Sequence, residues 1–159
     1  MKQALALLVV TGFLILNSPD ASSQVRWNVG GNTGLVIVTS PSSADFTFGP
    51  SAEVLFGKGL AVGTEFNIFT GAGTPIEWAN YFKYYFTVPG SKIKPYANAG
   101  FGLLFVTGGP YFDIRFGGGA GFPVARNLYI GPDLQLGPVF ATGNTRFVIL
   151  IRGGLRYEI

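Results

Sequence analysis

The segment Arg146–Ile159, with the sequence RFVILIRGGLRYEI, places charged residues and large apolar residues at alternating positions. Successive side chains of a β-strand point to opposite faces, so this period of two predicts a strand that separates a polar environment from an apolar one. The polar positions are Arg146, Arg152, Arg156 and Glu158, and the apolar positions are Phe147, Ile149, Ile151, Leu155, Tyr157 and Ile159.

The same alternation recurs upstream, and it predicts strands over 25–37, 46–57, 60–70, 77–88, 94–106, 111–122, 128–139 and 145–158. Only 12% of the residues are charged, whereas 48% are hydrophobic, which is a poor balance for a surface in water. After residue 23, no apolar run approaches the roughly 20 residues that a membrane helix needs. We therefore predict an all-β fold, an eight-stranded antiparallel up-and-down transmembrane β-barrel over residues 24–159.

The first 23 residues have the pattern of an export signal. Lys2 precedes an apolar run over 4–16, and the small residues Ala21-Ser22-Ser23 follow it, as at a signal-peptidase site. The run is too short to span a bilayer as a stable helix. We expect a signal peptide over 1–23, followed by a single domain.

The alternate strand positions that carry polar residues include charged residues of both signs, and all of them are expected to face the interior of the barrel. An eight-stranded barrel has an interior just wide enough for side chains to fill, and an uncompensated charge there would be costly. We therefore expect a lumen closed by ion pairs. The predicted members of this network are Arg26, Glu53, Glu65, Glu77, Lys83, Asp113, Arg115, Asp133, Arg146, Arg152 and Arg156.

Aromatic residues recur near the ends of the predicted strands, as in the girdles of membrane barrels. The predicted girdle consists of Trp27, Trp78, Tyr84, Phe112, Tyr129 and Tyr157. Pro50 and Pro132 fall inside predicted strands, where a proline removes a backbone donor. We expect a bulge or a local break of pairing at each of them.

The sequence lacks the residues that several common kinds of catalytic and ligand-binding site require. The chain contains no histidine and no cysteine, which excludes Ser-His-Asp and Cys-His catalysis and the usual transition-metal sites. The glycine runs at 30–34 and 117–121 lack the Lys-Ser/Thr and the helix of a P-loop. The net charge of +3 is spread without a basic stripe, so we expect no nucleic-acid partner. We predict no catalytic residues, cofactor or metal.

The chain resembles the OmpA/OmpX-type outer-membrane β-barrel superfamily. The likeness rests on the export signal, the strand pattern, the segments 117–122 and 128–137, and the closing Arg156-Tyr157. Arg152, Gly154, Tyr157 and Ile159 are similar to the C-terminal assembly signal of that family, although Ile159 stands where phenylalanine is usual. Outer-membrane barrel enzymes rely as families on a catalytic histidine, which this chain lacks.

The resemblance implies a location in the outer membrane of a Gram-negative-type bacterium and a non-enzymatic role in the envelope or in surface interaction. It further implies contact with outer-membrane lipid and with the barrel-assembly machinery, and we expect a monomer. Two alternatives remain open at this point. One is a narrow channel for water or small ions, and the other is a secreted soluble barrel of lipocalin type whose apolar face binds a ligand inside.

Overall fold

The computed structural model describes residues 25–39, 42–57, 59–71, 73–141 and 143–159, so the predicted signal peptide over 1–23 lies outside the described residues. Within these ranges the chain forms eight strands. They are β1 (Arg26–Thr39), β2 (Ser42–Phe56), β3 (Leu60–Phe69), β4 (Ile76–Tyr85), β5 (Lys94–Val106), β6 (Gly109–Ala125), β7 (Leu128–Ala141) and β8 (Asn144–Glu158).

The strands form one closed barrel in which each strand pairs antiparallel with the next, and β8 pairs back with β1. This confirms the predicted all-β, eight-stranded up-and-down fold. Boundary differences of three or four residues occur in three strands. β2 begins four residues before the predicted 46, β4 ends three residues before the predicted 88, and β6 ends three residues after the predicted 122. Pro89 lies in the connection that follows β4, and it has no backbone donor for a ladder.

The two faces of the barrel differ sharply in chemistry. Large apolar side chains point outward, and Phe66, Ile130 and Phe116 are 47%, 48% and 54% exposed. Charged side chains such as Glu65 and Arg152 point inward and are buried. The lipocalin-type alternative is therefore wrong, because it requires the apolar face to line the interior. No helix within the described ranges is long and apolar enough to cross a membrane.

Both ends of the barrel chain, Arg26 and Glu158, lie at the same end of the barrel, which we call the terminal end. The connections after β2, β4 and β6 also lie there, and the other four connections lie at the opposite, loop end. The predicted turn 123–127 is shorter in the structure, because β6 continues to Ala125 and only Arg126 and Asn127 turn. Asn127 has a φ of 62°, a left-handed conformation that asparagine tolerates.

The prolines inside strands do not shift the register. β2 and β3 pair in the same register on both sides of Gly49-Pro50, and β6 and β7 do so around Gly131-Pro132, with pairing interrupted at each dipeptide. Of the two outcomes expected at these prolines, a bulge or a local break of pairing, the structure shows the local break. The register shift lies instead between Pro123 and Ala125, next to the two-residue turn.

Candidate functional site in the barrel lumen

The lumen is filled by side chains in successive layers. From the loop end to the terminal end these are an apolar layer, a charged layer, a tyrosine layer and a charged mouth. The apolar layer consists of Val36, Phe69, Val139, Val148 and Leu150, with Val38, Leu104 and Tyr111 packed against it. The lumen is the candidate functional site because it gathers almost all of the buried charge.

Arg152 is the hub of the charged layer. Its side chain is 1% exposed, and its Nη1 lies 2.9 Å from Glu65 Oε1 while its Nη2 lies 2.7 Å from Asp133 Oδ1. β8 thus supplies a cation that joins a carboxylate of β3 to a carboxylate of β7. Asn67 Nδ2 donates to both Glu65 Oε1, at 3.0 Å, and Glu77 Oε2, at 2.7 Å.

Arg115 extends the charged layer toward the loop end. It is 5% exposed and forms an ion pair with Glu77, while its Nε lies 3.1 Å from Asp113 Oδ1 and its Nη1 lies 3.8 Å from Glu65 Oε1. The Nε contact is misaligned for a hydrogen bond and the Nη1 contact is too long for one, so Nε and Nη1 of Arg115 have no hydrogen-bond partner within the described ranges. Donor capacity is left unused at this position.

Glu53 and Arg156 hold the tyrosine layer together. Glu53 accepts hydrogen bonds from Lys83 Nζ at 2.6 Å, from Asn28 Nδ2 at 2.7 Å, and from the hydroxyl of Tyr85. Arg156 donates from Nη1 to the same Tyr85 hydroxyl, at 3.0 Å. This arrangement joins β1, β2, β4 and β8 through one buried carboxylate.

Tyr96 links the tyrosine layer to the charged layer. Its hydroxyl accepts from Arg156 Nη2 at 2.6 Å and donates to Asp133 Oδ2 at 2.7 Å, and the Arg156 guanidinium lies 4.4 Å from the centre of its ring. Asp133 is in turn bound by Arg152. One continuous network therefore runs from Glu77 to Lys83 across the barrel.

The terminal end closes with a second group of charges. Arg26 and Lys94 both form ion pairs with Glu158, and Lys94 Nζ lies 4.1 Å from the centre of the Tyr129 ring. A cavity of about 530 Å³ opens at this mouth. Lys94 and Glu158 were not among the predicted network residues, although both carry the inward parity of their strands.

Ten of the eleven predicted network residues take part in these contacts, and Arg146 does not. Arg146 lies at the loop-end rim, is exposed, and forms no ion pair with a carboxylate within the described ranges. Arg146 lies near the start of β8, closer to the loop end than Val148, and is therefore too far from the charged layer to join it. The expectation of a polar lumen closed by ion pairs is also incomplete, because the apolar layer occupies the loop end.

The predicted girdle residues lie on the outer face, with one exception. Trp27, Tyr84 and Tyr157 are exposed near the terminal end, and Trp78 and Phe112 are exposed near the loop end. Phe112 lies 6.2 Å from Phe140, ring centre to ring centre. The placement of Tyr129 in the girdle was wrong, because β7 turns this side chain inward, beneath Lys94.

The four residues of the predicted assembly signal divide between the two faces. Arg152 and Gly154 point into the lumen, while Tyr157 and Ile159 are 48% and 69% exposed. The backbone NH of Ile159 donates to the carbonyl of Trp27 at 2.8 Å. The last residue therefore extends the seam between β8 and β1.

Across the described part of the chain, no three His, Cys, Asp or Glu side chains are placed to hold a metal ion. The buried carboxylates Glu53, Glu65, Glu77 and Asp133 each contact a cationic side chain instead. These contacts hold the four carboxylates inside the filled lumen, away from solvent.

No family model matches the chain, and no curated protein matches it in sequence. Solved structures do match. The N-terminal β-barrel domain of Pseudomonas aeruginosa OprF aligns with a TM-score of 0.60 at 12% identity, over 84% of this chain and 100% of that one. Neisserial surface protein A aligns with a TM-score of 0.60 at 15% identity, over 84% and 96%. The outer membrane enzyme PagL aligns with a TM-score of 0.54 at 20% identity, over 83% and 99%.

These likenesses show the fold. The expected resemblance to eight-stranded outer-membrane barrels is confirmed at that level, and the low identities carry no residue-level correspondence.

Proposed function

We propose that this chain is a non-enzymatic integral protein of the outer membrane of a Gram-negative-type bacterium, with a structural role in the envelope or a role in surface interaction. The observation that carries the proposal is the outward belt of exposed apolar side chains around a charged, filled lumen. Burial in lipid removes this belt from water, and the closed sheet satisfies its own backbone groups. The fold shared with an outer membrane enzyme supports the location.

The same proposal includes the route to the membrane. Residues 1–23 act as a cleaved signal peptide, and Arg152, Gly154, Tyr157 and Ile159 are read by the barrel-assembly machinery. Tyr157 and Ile159 support this because they lie exposed at and just beyond the end of β8. The mature chain functions as a monomer surrounded by lipid and binds no nucleic acid.

The residue content of the chain supports a non-enzymatic role. PagL shares the fold and is an enzyme, so the fold alone does not decide. The chain has no histidine or cysteine, and its buried carboxylates contact arginine and lysine side chains. A general base near neutral pH would therefore have to come from a group already engaged in the lumen.

Fractionation tests the proposal directly. Cells expressing the full chain are separated into soluble, inner-membrane and outer-membrane fractions, and each is run on gels with and without boiling. We expect the protein in the outer-membrane fraction, with faster migration when unheated because the closed barrel resists the detergent. Recovery in the soluble fraction without detergent would refute the proposal.

The channel alternative has less support from the lumen. Leu150 and Ala61 are fully buried within it, and Arg152 bridges it from wall to wall. We expect no steady conductance from the purified protein in planar bilayers. Reproducible ohmic openings that disappear with an unfolded control would favour the channel instead.

A further inference from the structure

The loop end of the lumen contains a cavity of about 180 Å³. Its wall is formed mainly by the apolar layer, with Val106 and Pro75 added near the mouth. Protein interiors normally leave few voids larger than a water molecule. Larger side chains in place of Val139 or Val148 would fill this space, and the chain does not carry them.

The size of the cavity indicates the size of an occupant. An apolar cavity of about 150 Å³ in another protein remains dry and binds benzene. The present cavity is slightly larger, so it accommodates a single ring or a comparably compact hydrocarbon body. The apolar lining favours such a body over a water cluster, which needs several polar partners.

A cationic side chain stands at each end of the cavity, and Asp113, which lies next to Arg115 below the floor, has two carboxylate oxygens that also lack hydrogen-bond partners among the described residues. Arg146 lies exposed at the mouth, and Arg115 lies at the floor with two nitrogens that lack hydrogen-bond partners. The Glu77 carboxylate, also at the floor, already accepts from Asn67 and pairs with Arg115. Asp45 also lines the cavity near the mouth, so a cationic ligand is a necessary comparison for an anionic one.

We propose that the loop end of the lumen binds a small monocarboxylate with a compact apolar body. The body lies in the apolar layer, and the carboxylate remains at the mouth, where it pairs with Arg146. The charged layer beneath, with its buried ion pairs, closes the floor. The site is therefore a blind pocket entered from the loop end, and it goes beyond the envelope role proposed above.

Fluorine NMR tests the proposal with 4-fluorobenzoate as the anionic probe, and with 4-fluorobenzyl alcohol and 4-fluorobenzylammonium as neutral and cationic comparisons. The protein is held in lipid nanodiscs, because detergent tails would compete for the cavity. We expect saturable binding of the benzoate at one equivalent. The alcohol should bind about three- to fivefold more weakly, as expected for the loss of one exposed ion pair.

Variants separate the two halves of the site. Arg146→Gln should weaken benzoate binding about three- to fivefold and leave the alcohol unchanged. Val148→Phe should fill the cavity and abolish binding of both probes, and Val38→Phe serves the same purpose if that variant does not fold. Ile149→Phe, one position along on the lipid face, is the matched control and should bind like the parent. Heat-modifiable migration verifies folding of each variant.

Three outcomes would overturn the proposal. The first is signal change that does not saturate and equals that of empty nanodiscs. The second is equal binding by the parent and a folded cavity-filling variant. The third is tighter binding of the ammonium probe than of the benzoate, which would assign the mouth to Asp45 rather than to Arg146.

Discussion

Arg152 provides the clearest test among single residues, because two acidic side chains on different strands share it. Replacing it by methionine keeps much of the volume and leaves Glu65 and Asp133 without this cation. Breaking a buried ion pair from one side costs about 3–5 kcal/mol. We expect Arg152→Met to lower the free energy of unfolding by that amount, measured by urea titration in lipid vesicles.

The control for Arg152→Met is Val62→Ala on the outer face, which should cost only about 1–1.5 kcal/mol from the lost methyl groups. Equal losses for the two variants would show that the charged layer contributes little to stability.

Tyr96 offers a finer test of the network, because only its hydroxyl joins Arg156 to Asp133. Tyr96→Phe leaves both partners buried and short of one hydrogen bond, which costs about 1–3 kcal/mol. Tyr84→Phe removes a hydroxyl from the exposed outer face and should change stability by about 0.5 kcal/mol or less. The two unfolding midpoints are compared in the same vesicles, and coincident midpoints would contradict the network's role.

Inward parity predicted most members of the network, since Glu53, Glu65 and Arg152 alternate with apolar residues on their strands. Parity alone failed at the loop end, whereas at the terminal end it would have included Lys94 and Glu158. Val148, Ile149 and Leu150 form a continuous apolar run, so both faces of β8 are apolar there. That run was the available signal for the apolar layer. The individual ion-pair partners could not be derived, because they depend on the stagger between strands that are distant in sequence.

A Gly-Pro dipeptide occurs once in β2 and twice in β7. Gly49, Gly131 and Gly137 each precede an outward proline, and a β-carbon on any of them would overlap a carbonyl oxygen of the neighbouring strand. At each dipeptide, the proline has no backbone NH to donate, and the preceding glycine lets the two backbones approach closely. These dipeptides explain why pairing is interrupted without a change of register.

Gly131→Ala tests whether the close approach of the backbones at a Gly-Pro dipeptide is needed for stability. The added methyl group would meet the carbonyl of Ala120, so we expect a loss of about 1–3 kcal/mol and a smaller heat-modifiable fraction after refolding. Gly153→Ala is the matched control, since its β-carbon would have its nearest neighbour, Thr33 O, at 3.9 Å. Normal refolding of Gly131→Ala would mean that β6 and β7 can separate at that point at little cost.

The number, order and pairing of the strands could be predicted from alternation and turn residues, because each strand lies between unlike environments over most of its length. The ends were less accurate. β6 extends beyond the predicted 122 because the turn needs only Arg126-Asn127. The exact ends of strands depend on pairing with their neighbours, which the local pattern does not contain.

The molecule as a whole presents a lipid-facing belt of apolar side chains. Arginine substitutions at different heights on this belt test how deep each position lies in the bilayer. Leu134 lies outward near the middle of β7, and Val124 lies outward near the terminal end of β6. An arginine at the bilayer midplane of such a barrel costs about 2–4 kcal/mol, and near the interface about 0–1 kcal/mol. We expect Leu134→Arg and Val124→Arg to differ accordingly in urea unfolding from vesicles. A neutral effect at both positions would place this belt outside lipid.

The seam between β1 and β8 has a consequence for how the chain matures. Arg26 and Glu158, which meet there, are separated by 132 positions in the sequence. Joining such distant segments is entropically expensive and makes topologies of this kind slow to form. Until the final strand arrives, β1 keeps an open edge that can recruit other chains. Under the proposed export route, the polypeptide should therefore depend on chaperones that bind it before it reaches the membrane, and depleting them should produce aggregates rather than partly closed barrels.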